Sequence, residues 1–106
     1  MGRNKYGAVK TMLDGIEFDS QREAQRYWEL KMLQKAGEIS DLRMQVRFEL
    51  IPKQPKMRAV YYIADFVYTG KDGTTVVEDA KGMKTREYVL KKKMMLFLKG
   101  IEVVEV

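Results

Sequence analysis

The sequence contains no cysteine and no histidine. The first absence excludes disulfides, zinc–cysteine sites and iron–sulfur clusters. The second removes Ser-His-Asp triads, the HExxH metalloproteases and every imidazole base or ligand. No apolar run approaches the roughly 18–20 residues that cross a bilayer. The N-terminal MGRNKYGAVK has no apolar core of a secretory signal, so a cytoplasmic location is expected. Internal repeats and low-complexity tracts are lacking as well.

The chain has 106 residues, enough for one domain with one core. It is 45% hydrophobic and 33% charged, which fits a folded chain. The formal net charge is +5, a weak pointer to a polyanion. The charge is uneven. Residues 61–80 carry Lys71 alone against Asp65, Asp72, Glu78 and Asp79, while both flanks are basic. A simple phosphate-binding surface has no use for that acidic centre. A metal-dependent enzyme acting on phosphates does, because carboxylates must hold a cation against the substrate charge.

Residues 1–18 read as a basic arm leading into a short extended piece, with Asp14-Gly15 as a turn signal. Ser20 and Glu23 match a capping box, and the apolar spacing predicts a helix from there to Ala36, ended by Gly37. Residues 46–51 alternate as a strand with Val46, Phe48 and Leu50 inward. Pro52 to Pro55 is a loop. Val60–Tyr68 and Thr74–Lys81 form a hairpin across Gly70-Lys71-Asp72-Gly73. A second helix covers 84–98, with Tyr88, Val89, Met95, Leu96 and Leu98 as its buried candidates, and a last strand covers 101–106. The order α-β-β-β-α-β makes an α+β domain.

The hairpin carries the chemistry. Asp65 lies mid-strand in an apolar run, where a carboxylate is costly unless paired or metal-bound. Alternation puts Asp79 and Lys81 on one face of the return strand and Glu78 on the other. With Lys71-Asp72-Gly73 as a three-residue loop, Asp65 faces Asp79 and gathers it with Lys81. With a two-residue Asp72-Gly73 loop, Asp65 faces Ala80 and shares its face with Glu78. Both registers are open to the sequence. The first offers two carboxylates for Mg²⁺ and a lysine for developing negative charge.

Asp65 and Asp79-Ala80-Lys81 together resemble the PD-(D/E)XK nuclease superfamily. The resemblance extends to a group of small phage and prophage proteins of that type through Arg3-Asn4-Lys5-Tyr6, Phe18-Asp19-Ser20 with Glu23-Ala24, Ala36 to Leu42, Tyr62 to Phe66 and Val77 to Gly82. It runs from about Arg3 to the C-terminus. Ala64 replaces the Pro of the superfamily name, and Asp79 stands where Glu is commoner. The resemblance implies a restriction-endonuclease-like αβββαβ core, with a mixed four-stranded sheet flanked by helices. It implies a Mg²⁺-dependent endodeoxyribonuclease, with Mn²⁺ as substitute, in the cytoplasm of a bacterial host. Asp65 and Asp79 are then metal ligands and Lys81 the catalytic lysine. Glu23 is a further ligand in the Ser-x-x-Glu pattern of several branches, or only the helix cap.

Lys84, Arg86, Lys91 and Lys92 on the second helix, with Arg3 and Lys5 on the arm, are the expected DNA contacts. A chain with one site calls for a homodimer to cut two strands. Two other roles share these residues: resolution of Holliday junctions or other branched DNA in phage recombination, and DNA binding or regulation without catalysis.

Overall fold

The computed structural model describes residues 9–80 and 83–106. Its order is β1 (Thr11–Leu13), β2 (Ile16–Phe18), α1 (Gln21–Lys35), β3 (Ile39–Ile51), β4 (Val60–Gly70), β5 (Thr75–Asp79), α2 (Arg86–Lys99) and β6 (Val104–Glu105). The main sheet runs β3-β4-β5-β6. It is mixed: β3, β4 and β5 pair antiparallel, and β6 pairs parallel to β5. The fold class is α+β, with the two helices packed on opposite faces of this sheet.

The faces are assigned by packing. Tyr62, Ala64, Val67 and Val77 pack with Tyr88 and Met95 of α2. Phe66, Tyr68 and Ala80 pack with Ala24, Tyr27 and Leu30 of α1. Strand alternation therefore slips by one residue between Ala64 and Phe66. The neighbouring strand slips at the same level, since Met44 packs toward α1 while Val46 and Phe48 pack toward α2. A one-residue slip exchanges the faces of everything beyond it. Its backbone mark is Gln45, held at φ 54° inside a strand, a conformation that L-residues with a side chain rarely adopt.

Several sequence expectations change. β3 begins at Ile39 rather than Val46, because positive φ at Asp41 and Gln45 breaks the clean alternation without breaking the ladder. β1 and β2 form a separate hairpin across Asp14-Gly15 where one short extended piece was expected. The last strand is only Val104–Glu105. In α2 only Tyr88 and Met95 are buried, whereas Val89, Leu96 and Leu98 are exposed. The inward stripe of α2 is that narrow because α2 covers the sheet with one edge of its surface.

The β4–β5 turn takes the three-residue loop. Gly70 N–H donates to the Thr74 carbonyl at 2.8 Å, and Gly73 sits at φ 88°, where glycine carries no steric cost. The pairing Phe66↔Glu78 through Thr69↔Thr75 follows from that loop.

Candidate active site

One more step along this register sets Asp65 opposite Asp79. Both are buried, as are Glu78 and Glu23. Four carboxylates in the interior of so small a domain need an account, since each is costly to bury without a partner.

Glu23 is delivered by the first turn of α1. The Ser20 hydroxyl accepts from Glu23 N–H at 3.1 Å, and Glu23 Oε1 accepts from Asp19 N–H at 3.3 Å. The cap and the site residue are thus the same side chain. Burial first, and then the adjoining Asp65 carboxylate, push the Glu23 carboxyl up to about 8.

Asp65 is fixed from two sides. Its Oδ2 accepts from Ala80 N–H at 2.8 Å, which ties it to the end of β5. Its Oδ1 accepts from the Gln45 side-chain amide at 3.3 Å. The slip in β3 and β4 therefore has a local purpose. It leaves Asp65 turned toward α1 and Glu23, opposite to its strand neighbour Ala64, while Phe66 also packs on the α1 side.

Asp79, at the α2 side, accepts from the Tyr62 hydroxyl at 2.5 Å. Burial and then this carboxylate hold the Tyr62 phenol far above the ordinary tyrosine value. Tyr88 is raised by burial, by its bond to Glu105, and by the charges of Asp79 and Asp65. The two aspartates therefore act on the same pair of hydroxyls.

Glu78 belongs elsewhere. Arg26 grips it with two bonds, Nε to Oε1 at 2.8 Å and Nη2 to Oε2 at 2.7 Å, and the Tyr68 hydroxyl also donates to it. This fork locks α1 to β5 on the α1 face. Arg26 follows Glu23 by three residues, so it lies on the same side of α1 as the site residue. Gln45 and Arg26 were not singled out in the sequence, whereas Tyr62 was expected in the core and is buried there.

The structure thus brings Glu23 and Asp65 together and sets Asp79 one strand away. Lys81, the expected catalytic lysine, lies outside the described residues, as do Arg3 and Lys5. Among the described residues no group of three His, Cys, Asp or Glu side chains is gathered closely enough to hold a metal. The donor chemistry nevertheless fits a hard divalent cation. The donors are all oxygen, and a cation would relieve the repulsion that raises the Glu23 carboxyl beside Asp65.

Three of the four described cations expected at the DNA are ion-paired. Lys84 and Lys92 both pair with Glu105, at 3.1 and 3.2 Å, and Lys91 pairs with Glu87 at 2.9 Å. The Tyr88 hydroxyl and then the two lysines hold the Glu105 carboxyl down at about 2. Arg86 is exposed and carries no ion pair among the described residues. No helix among the described residues is long and apolar enough to cross a membrane.

A family model described as "Protein of unknown function (DUF1064)" matches residues 3–102. No curated protein and no solved structure matches the chain.

Proposed function

We propose that this chain, which belongs to the DUF1064 family, is a Mg²⁺-dependent endodeoxyribonuclease. The observation that carries the reading is the pair of adjoining buried carboxyls, Glu23 and Asp65, with a third, Asp79, on the next strand. Buried acidic groups kept against their repulsion mark functional sites. The fastening of α1 to β5 is a separate contact, the Arg26–Glu78 pair.

Asp65 and Glu23, with Asp79 on the adjoining strand, are the residues that would hold Mg²⁺, and the ion when bound would supply Lewis-acid polarisation of a phosphodiester and acidification of a water. The chain's own residues do the rest. Ala80 N–H and the Gln45 amide hold Asp65 in one orientation. The Tyr62 hydroxyl does the same for Asp79. Ser20 and Asp19 anchor the backbone that presents Glu23. Lys81, two residues past Asp79, stabilises the charge that develops on the phosphate.

The test is conversion of supercoiled plasmid to nicked circles by the purified chain. The reading expects nicking with Mg²⁺, none with EDTA, and at least about a 100-fold loss in Asp65→Asn. Equal nicking by the parent and Asp65→Asn would remove the site from the chemistry.

A further inference from the structure

The slip at Asp65 leaves half of one sheet face bare. Beyond it, Tyr62, Ala64, Val46, Phe48 and Leu50 are packed under α2. By alternation, Tyr61, Ile63, Arg47 and Glu49 turn to the opposite side, the side of α1. Yet α1 does not reach them: Ile63 is 48% exposed, Tyr61 is half-buried, and Arg47 and Glu49 are exposed. This uncovered floor begins next to Asp65 and runs outward along β4.

Its far end is a basic wing. Beyond Ile51 the chain continues to a tip closed by two backbone bonds, Gln54 N–H to the Met57 carbonyl and Met57 N–H to the Gln54 carbonyl. Every residue from Ile51 to Arg58 is exposed. Lys53, Lys56 and Arg58 lie on this wing, and Arg47 stands at its root. From Val46 to Val60 the only carboxylate is Glu49. The Arg47 guanidinium lies over the Tyr61 ring, 4.2 Å from its centroid. That contact fixes a planar cation on an otherwise open surface.

We infer that the bare sheet floor and its wing, Arg47, Lys53, Lys56 and Arg58 with Tyr61, form the binding track for the DNA backbone leading to Asp65. The occupant follows from charge and shape. Four cations against one carboxylate, spaced along an extended two-stranded ribbon, suit a repeating polyanion rather than a single anion. Tyr61 is four residues from Asp65 along β4, about 13 Å, or roughly four nucleotides of one strand measured along a duplex axis. Lys84, Lys91 and Lys92, also expected at the DNA, are ion-paired with Glu105 and Glu87. The inference rests on the nuclease reading for the position of the scissile phosphate. It does not rest on it for the presence of the DNA.

The experiment is anisotropy of a labelled 20-base-pair duplex titrated with the full chain in Ca²⁺, over a range of salt. Arg47→Ala should weaken binding about tenfold or more. The double variant Lys53→Ala/Lys56→Ala should reduce the log–log salt slope by about 1.8. Lys84→Ala/Lys92→Ala should stay within about twofold of the parent, because it removes cations already paired within the chain. All these side chains are exposed or ion-paired at the surface, and unchanged circular dichroism melts would confirm the folds. Parental affinity and slope in both wing variants would overturn the track, as would an absence of duplex binding by the parent. The two proposals fail separately. If Asp65→Asn nicks plasmid like the parent while Arg47→Ala still loses DNA, the track stands and the catalytic reading falls. If nicking depends on Asp65 and duplex affinity ignores the wing, the reverse holds.

Discussion

Glu23 on the first turn of α1 meets Asp65 in the middle of β4, and burial together with that neighbouring carboxylate raises the Glu23 carboxyl to about 8. The two residues are brought together by separate devices. The Ser20 cap sets where α1 begins, and the slip beside Gln45 sets which way Asp65 turns.

This pairing gives stability a particular pH dependence. A carboxyl whose folded value exceeds its unfolded value binds more protons in the folded state. Its stabilising contribution is complete below the ordinary value of 4.5 and is lost as pH rises through about 8. Between pH 5 and 8, without divalent cations, the parent should lose about 4 °C or more of melting temperature relative to Glu23→Gln. Parallel curves for the two proteins would contradict the raised Glu23 carboxyl.

Asp65→Asn should raise the melting temperature while abolishing cleavage. The substitution removes one of two repelling carboxylates, and the amide oxygen still accepts from Ala80 N–H. A large fall in melting temperature would mean that Asp65 supports the fold rather than the chemistry.

Arg26 and Glu78 should behave in the opposite way. Glu78 is 1% exposed, and Arg26→Ala strips it of its bidentate partner. Breaking a buried pair on one side costs about 3–5 kcal/mol, whereas replacing both members with apolar residues is often neutral. Arg26→Ala should therefore unfold at much lower denaturant than the double variant Arg26→Met/Glu78→Leu. Equal destabilisation would show that the pair is not the fastening between α1 and β5.

Tyr62→Phe should cost about 1–3 kcal/mol, because it removes a hydroxyl donor from a fully buried carboxylate. Chemical denaturation measures it. A neutral result would mean that Asp79 is satisfied without Tyr62.

Much of this was legible in the residues. Ser20 and Glu23 announced the helix start, and Gly73 three residues after Gly70 allowed the loop that sets Asp65 against Asp79. The apolar run around Asp65 marked an inner strand. What was hidden depends on tertiary context. Residues 39–45 do not alternate, since Asp41 and Gln45 adopt left-handed φ within β3. That same irregularity, invisible in composition, decides that Asp65 faces Glu23. The α2 lysines read as free cations because their partner, Glu105, comes from a strand paired with β5. The exposure of Phe97 at 86%, beside buried Met95, could not be read from helical spacing alone.

The central claim is that these buried carboxylates form one cation site, and calorimetric titration of Mn²⁺ at pH 7 tests it most directly. Performed in two buffers of different ionisation enthalpy, it counts the protons released. The account predicts one saturable site and release of close to one proton per cation, because Glu23 with its value near 8 is mostly protonated at that pH. Glu23→Gln should suppress the proton release, and Asp65→Asn should suppress binding. Saturable binding by the parent with no proton released, or no binding at all, would contradict it.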